Sequence, residues 1–444
     1  MTQTDSPVTI GQPWPHTARR AARGELEIGG VLLPALADRY GTPLYVYDEQ
    51  TLRASARAFR QSFAAVYPRS RVVYAAKAFL TTALVRIMRK EGLGLDVVSG
   101  GELFVGLRGG MPAAEIAFHG NNKSARELGE ALAAGVGKIV IDNDYEISLL
   151  EALTANRGQP APAMIRLNPG VDVHTHKKIS TGMADSKFGF PIADGQAETA
   201  LCRIQSLPKL RLVGLHAHVG SQLFDAEATV AAIDALLDFA ATMRDRHEFV
   251  LEHLSPGGGF GIAYTDADKP PTIATWAGLI GAAVKEGCAA RSLPEPMLTV
   301  EPGRAMVGPA GVALYTVGAK KELPDVRTYV SVDGGMADNI RPSLYDARYS
   351  AAIANRDDPA ASNEVTIAGR YCESGDLLIE RIALPELREG DLLAIPAAGA
   401  YTLAMASNYN FAPRPAVVLV NDGQARVIRR RETYEDLVQF DIDE

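Results

Sequence analysis

The chain has 444 residues, 47% of them hydrophobic and 22% charged, which is too long for one ordinary core and has the balance of a soluble globular protein. Its formal net charge of −8 repels phosphate backbones and argues against a nucleic-acid partner, and no run of about 18 uncharged apolar residues offers a membrane span. Cys202, Cys288 and Cys372 are too few and too widely spaced for a disulfide framework or a CxxC metal site, which fits a reducing cytoplasm, and the N-terminal MTQTDSPVTIGQPWPHTARR lacks the apolar core of a secretory signal.

The residues up to about Trp14 carry no periodic signal and are expected to be loose. Residues 25–33 read as a hairpin turning at Gly29-Gly30. Residues 34–40 read as a short helix stopped near Gly41 and Pro43. From Leu44 on, short apolar runs alternate with amphipathic stretches. The runs occupy 71–78, 93–99, 116–120, 138–142, 163–169, 212–220, 253–259 and 297–304. Between them, stretches such as 125–134 and 226–246 show helical periodicity. Alternating strand and helix predicts a parallel sheet. Eight such units, with polar residues at the strand C-termini, predict a closed (β/α)8 barrel rather than an open doubly wound sheet. After Arg304 the pattern changes to strand-like runs at 312–319, 327–333, 364–369, 392–396, 416–421 and 425–429, with a polar loop at 355–363. Gly, Pro and Asp turns separate them, as in an antiparallel β domain. The expected organisation is an N-terminal segment 1–43 contributing to the β domain, a barrel over 44–308 and a C-terminal β domain over 309–444.

Several residues are placed to do chemistry. Lys77 ends the first run, in Tyr74-Ala75-Ala76-Lys77-Ala78, and a lysine at that end of a barrel strand points into the active-site mouth. Small apolar neighbours are expected to desolvate its ammonium and lower its pKa, as a Schiff-base lysine needs. Taken alone, it is also an ordinary exposed lysine. His216 and His218 are expected to share one strand face, where they could bind a metal, pack against a cofactor ring, or simply be satisfied core histidines. The Gly220-Ser221 that follows suits close approach to an anion. The run Gly257-Gly258-Gly259-Phe260-Gly261 follows strand seven. Consecutive glycines can turn N–H groups onto a phosphate, and barrels often bind phosphate there. Glu301-Pro302-Gly303-Arg304 closes strand eight. Its arginine can reach a phosphate or a substrate carboxylate. Its glutamate can keep a pyridine nitrogen protonated, although a surface ion pair reads equally well. In the β half, Cys372 of Tyr371-Cys372-Glu373-Ser374-Gly375-Asp376 is a proton donor if a cofactor reaches it, or a buried small hydrophobe. Arg341 and Tyr345, in Asp338-Asn339-Ile340-Arg341-Pro342-Ser343-Leu344-Tyr345, and Tyr401, in Gly399-Ala400-Tyr401, carry no signal of their own.

From about residue 44 to 409, these motifs in this order resemble the diaminopimelate decarboxylases. These are fold-type III enzymes that use pyridoxal 5'-phosphate (PLP) and have an alanine racemase-like fold of barrel plus β domain. The resemblance also rests on His119-Gly120-Asn121-Asn122-Lys123 and Ser186-Lys187-Phe188-Gly189-Phe190. It implies that Lys77 carries the cofactor, that His218 stacks on the pyridine face, and that Glu301 meets the ring nitrogen. Ser221, Gly258, Gly259 and the Glu301-Pro302-Gly303-Arg304 segment would hold the phosphate. Arg304, Arg341 and Tyr345 would grip a distal substrate carboxylate, and Glu373 a distal amine. Cys372 and Tyr401 would complete the site from the other subunit of a homodimer, Cys372 as proton donor and Tyr401 beside the cofactor.

The reaction implied is decarboxylation of meso-2,6-diaminopimelate to L-lysine and CO2, which closes lysine biosynthesis. Ornithine, arginine or carboxynorspermidine decarboxylases share the fold, but an ornithine-type substrate ends in an amine alone and has little use for an arginine pair. An alanine racemase leaves the Cys372 motif unexplained. A metal-dependent barrel hydrolase would use His216 and His218 with His119 and Glu301 as further ligands, and would leave Lys77 idle. A relative without catalytic activity would have no need of both Lys77 and Cys372.

Overall fold

The computed structural model describes residues 8–171, 186–357 and 362–442. Part of the expected polar loop at 355–363 therefore lies outside the described residues, as do the first seven positions. The contacts divide the chain into two units. One comprises Ala56–Gly261 and Pro270–Gly303; the other takes the residues up to Ser55, Ile262–Lys269 and the chain from Arg304 on.

The first unit contains the closed parallel barrel. Its strands are Ser70–Ala75, Gly94–Val97, Ile116–Phe118, Lys138–Ile141, Ala161–Asn168, Leu210–His216, His253–Ser255 and Met297–Val300. Each pairs in parallel with the next, and Met297–Val300 returns to Ser70–Ala75 to close the ring. All eight coincide with the apolar runs of the sequence. Local chemistry starts the helices between them. The side chains of Thr81, Ser99, Ser124, Asn143 and Thr272 each accept a first-turn backbone N–H, which satisfies a donor the helix leaves open. Ser124 and Glu127 complete a capping box.

The second unit is built on a mostly antiparallel sheet. Its long central strand, Gly311–Leu323, pairs antiparallel with Arg327–Val332, Leu392–Ile395 and Leu44–Asp48. Ala416–Asn421 adds to Leu44–Asp48 in parallel and carries Gln424–Arg429 at the edge. The barrel expected from residue 44 thus differs from the structure. Leu44–Asp48 belongs to this sheet, and the first barrel strand is Ser70–Ala75. Every residue of Leu44–Asp48 is buried, and a strand buried on both faces reads the same in either kind of sheet. Leu377–Leu384, paired with Asn363–Ala368, is a strand the sequence does not mark, because Glu380 and Arg381 interrupt its apolar run.

The hairpin at the start of the chain is Leu26–Ile28 with Val31–Leu32, turning at Gly29 and Gly30, both at positive φ. Ahead of it Val8–Thr9 pairs with Arg19–Arg20, and Trp14 is buried, so the described part of this stretch is ordered rather than loose. Trp14, Leu26, Ile28 and Leu33 share one core with Val46, Val312, Leu314 and Val418.

Candidate active site

In the barrel unit, Lys77 sits in the turn Ala76–Ala78 immediately after the first strand. Tyr74 holds that turn by donating from its hydroxyl to the Phe79 carbonyl at 2.5 Å. Ala76 and Ala78 are buried but Lys77 is exposed, so the small neighbours fix the backbone and do not desolvate the ammonium as expected. Its charge is felt at His218, His119, Asp96 and Glu102.

Glu301, at the end of the eighth strand, is the electrostatic centre of this half. Its Oε1 accepts from Ser255 Oγ at 2.6 Å, and its Oε2 lies 3.0 Å from His216 Nε2. Burial pushes the Glu301 carboxyl up, but His216, His119 and the two hydrogen bonds outweigh burial and hold it well below the usual carboxylate range. Asp96 goes the other way: burial, then the nearby Glu301 charge, raises it well above its ordinary value. His119 lies between the two carboxylates without hydrogen-bonding either, its Nε2 3.6 Å from Asp96 Oδ1 and 3.9 Å from Glu301 Oε1. Its ring meets His216 edge-on at 4.8 Å between centroids. Burial holds both His119 and His218 well below the usual imidazole pKa, so both are neutral at pH 7.

His216 and His218 do not act as a pair on one face. The strand ends at His216, so alternation no longer governs His218, whose Nδ1 accepts from Gly258 N at 3.2 Å. Among the described residues, the grouping that could hold a metal is His119, His216 and Glu301, whose ligand atoms lie within 4.8 Å of one another.

The loops after strands six, seven and eight interlock. Gly257 and Gly259 have φ of +81° and +101°. A Cβ on Gly258 would stand 2.3 Å from the Glu301 carbonyl, and one on Gly259 would stand 2.7 Å from the Gly220 carbonyl, in the loop that carries Ser221. Pro302 accepts from Ala75 N at 3.2 Å, and Gly303 packs on Ala75 and Ala78. Lys77, His218, Ser221, Gly258, Gly259, Glu301, Pro302 and Gly303 therefore meet at one end of the barrel. The Ser186–Phe190 motif is tied in beside them: Asp142 Oδ2 accepts from Gly189 N at 3.2 Å, and Arg166 lies 4.4 Å over the Phe188 ring.

In the second unit, Arg304 Nη1 donates to Tyr264 Oη at 2.5 Å, and its guanidinium lies 4.8 Å from the centre of the Tyr401 ring. Arg341 lies 4.4 Å over Tyr264 and donates to the Tyr349 hydroxyl. Two arginines are thus presented by a frame of tyrosines, with Tyr264 and Tyr349 packed edge-to-face at 5.2 Å. Tyr401, which the resemblance assigns to the site of the other subunit, packs on Arg304 within its own chain. Tyr345 ends the helix Arg341–Tyr345 and is partly exposed. Cys372 and Glu373 occupy an exposed turn elsewhere in the unit. Cys372 N donates to Asn410 Oδ1 at 3.2 Å, and Glu373 accepts from the Tyr409 hydroxyl.

Tyr264, Tyr349, Ser255 and Asp96 take part in these clusters without having been singled out in the sequence. Tyr264 and Tyr349 have no local signature. Ser255 could have been found from its place just before the glycine run, and Asp96 from its carboxylate in an otherwise apolar strand.

A chemical test for PLP is whether these donors suit it. An ionised, buried carboxylate suits a protonated ring nitrogen, a glycine-built cradle suits a phosphate, and an exposed amine suits an aldehyde. The barrel end carries all three.

Similarity to known proteins agrees. The sequence pattern of the pyridoxal-dependent decarboxylases, pyridoxal binding domain, matches residues 49–308. Over 426 residues the chain is 49% identical to the diaminopimelate decarboxylase of Bacillus subtilis (strain 168), covering 96% of this chain and 97% of that one. The crystal structure of a diaminopimelate decarboxylase from M. jannaschii superposes with a TM-score of 0.90 at 33% identity, over 96% of this chain and 98% of the other. A lysine/ornithine decarboxylase from Vibrio vulnificus, complexed with putrescine, is further away: TM-score 0.73 at 25% identity, over 88% of this chain and 97% of the other.

Proposed function

Because the chain belongs to the pyridoxal-dependent decarboxylases, and within them to the diaminopimelate decarboxylases, we propose roles for its residues in converting meso-2,6-diaminopimelate to L-lysine and CO2. The chain is a carboxy-lyase of lysine biosynthesis, and PLP is its cofactor. When bound, PLP supplies an electron-poor ring that accepts the electron pair left behind as CO2 departs.

Lys77 holds the cofactor through its ε-amine. Glu301, held ionised by Ser255 and His216, would meet the ring nitrogen and favour its protonated form. His218, neutral because of burial, packs against the ring without adding charge. Ser221, Gly258, Gly259 and the Glu301-Pro302-Gly303-Arg304 segment would hold the phosphate, and Tyr401 of the partner subunit would come close to the cofactor. Arg304, Arg341 and Tyr345 bind the distal carboxylate, and Glu373 the distal amine. Fixing the distal end decides which Cα–carboxylate bond is presented for cleavage. Cys372 of the partner subunit gives its Sγ proton to the carbon that lost CO2.

The observation that carries this reading is the buried Glu301, hydrogen-bonded by Ser255 and His216 beside the glycine cradle, on the barrel end that bears Lys77. The His119, His216 and Glu301 grouping would serve a metal hydrolase, but a decarboxylase uses that carboxylate for the ring. We also infer a homodimer in the cytoplasm that binds a small amino acid and no nucleic acid, which the net charge of −8 supports. Among the described residues, no helix is long and apolar enough to cross a membrane.

The direct test is to incubate the protein with PLP and meso-diaminopimelate and measure lysine and CO2. Wild-type protein should be yellow and produce both. Lys77→Ala should lose the colour and about 10⁴-fold or more of the activity. Wild-type protein that takes up no PLP would sink the reading.

A further inference from the structure

Asp376 ends the Tyr371–Asp376 motif, but none of the roles above uses it. It is 3% exposed. One carboxylate oxygen, Oδ1, accepts from Met336 N at 2.6 Å, and the other, Oδ2, accepts from Tyr371 N at 2.7 Å. Met336 lies in the turn that leads to Arg341, and Tyr371 directly precedes Cys372. Two glycines make room for this carboxylate. A Cβ on Gly335 would stand 2.4 Å from Oδ1, and one on Gly369 would stand 2.2 Å from Oδ2.

Neighbouring bonds join the same two segments. Arg370 N donates to the Gly334 carbonyl at 3.0 Å, and Ser343 Oγ donates to the Gly375 carbonyl at 2.6 Å. The far side of the turn is anchored by Asp338, which accepts from Tyr315 Oη at 2.5 Å, Tyr45 Oη at 3.1 Å and Gly335 N at 2.9 Å. The turn ahead of Arg341 is therefore held from both sides, and one of its two anchors also holds the backbone N–H of Tyr371, the residue before Cys372.

We infer that Asp376 is a positioning residue that fastens the Arg341 segment to the Cys372 segment, so that substrate grip and proton delivery are set by a single carboxylate. This rests on the roles proposed above for Arg341 and Cys372. An aspartate that only stabilised its own turn would not need acceptors aimed at two segments. The bond pattern requires an acceptor at both oxygens. An asparagine in the same place would turn an NH2 group toward one of the two backbone N–H groups.

The test uses the holoenzyme. Asp376→Asn should raise KM and lower kcat together, for a loss of about a hundredfold in kcat/KM, as expected when reacting groups are slightly misplaced. Arg341→Met should act mainly on KM, and Cys372→Ser mainly on kcat. A second readout needs no turnover: alkylation of Cys372, followed by peptide mass spectrometry, should change rate by about tenfold in Asp376→Asn. Ser343→Ala, at an exposed position, should shift the same three quantities in the same direction by a smaller factor, and it decides the matter if Asp376→Asn does not fold. A folded Asp376→Asn with an unchanged alkylation rate, or with only one kinetic parameter altered, overturns the proposal. Unchanged values in Ser343→Ala alongside an unfolded Asp376→Asn do the same. Normal turnover by Cys372→Ser would remove the acid assignment, and the proposal with it, through a different variant from those that test the clamp.

Discussion

Glu301 shows how much one side chain's chemistry depends on its neighbours. An isolated buried carboxylate would take up a proton, yet Ser255 and His216 hold this one well below the usual carboxylate range while burial and the Glu301 charge push nearby Asp96 well above it. Glu301→Gln should therefore keep the Lys77-linked colour but lower kcat by about 10²–10³, read from steady-state rates and the absorbance spectrum of the same sample. The motif Glu301-Pro302-Gly303-Arg304 was legible in the sequence; the identity of its two donors was not, because Ser255 and His216 come from other strands. His253, in the seventh strand, makes a separate prediction. Burial lowers its pKa to about 4, so the unfolded chain binds this proton more readily than the folded one. The stability that neutral His253 contributes is complete above about pH 6.5 and is lost as pH falls toward 4. Denaturant midpoints should show His253→Gln losing less stability than wild type over that window. The effect will be smaller than the full shift implies, since the side chain is only partly buried and solvent screens it.

At the scale of elements, helices such as Ala125–Ala134 were readable from their periodicity, which is a local pattern. The buried link between the loop after Ile116–Phe118 and the helix Asp144–Thr154 was not. Lys123 Nζ meets Glu146 Oε1 at 2.6 Å and donates to the carbonyls of Gly120 at 2.5 Å and Val140 at 2.9 Å. Three acceptors use the three protons of the ammonium, which is how a lysine can be fully buried. Lys123→Met leaves Glu146 buried without its cation and should cost about 3–5 kcal/mol. Adding Glu146→Gln should recover part of the loss, since the amide oxygen can still accept from Asp142 N. Trp276 lies in the barrel unit and Trp14 in the other, so urea unfolding followed by Trp276 fluorescence in a Trp14→Phe background reads the effect on the barrel alone. An unchanged midpoint would show that the pair contributes nothing.

At the scale of the whole molecule, the proposed roles put Lys77 and Cys372 of one site on different subunits. Mixing Lys77→Ala with Cys372→Ala protein under conditions that exchange subunits should then restore about a quarter of wild-type activity, because half the dimers are mixed and each of these holds one intact site. No recovery, with subunit exchange confirmed by sedimentation, would place Cys372 outside its partner's site.

The eight strands of the barrel, the helical stretches between them and the order of the chemical motifs were set by the sequence alone, because each is written in a window of a few residues. Tertiary structure alone decided which sheet takes Leu44–Asp48 and which tyrosines frame Arg304 and Arg341. It also decided which side chains keep Glu301 charged and which backbone groups Asp376 joins. Those outcomes depend on pairing between distant segments. A doubly buried apolar run, a lone tyrosine or a terminal aspartate has the same local pattern whichever partner it finds.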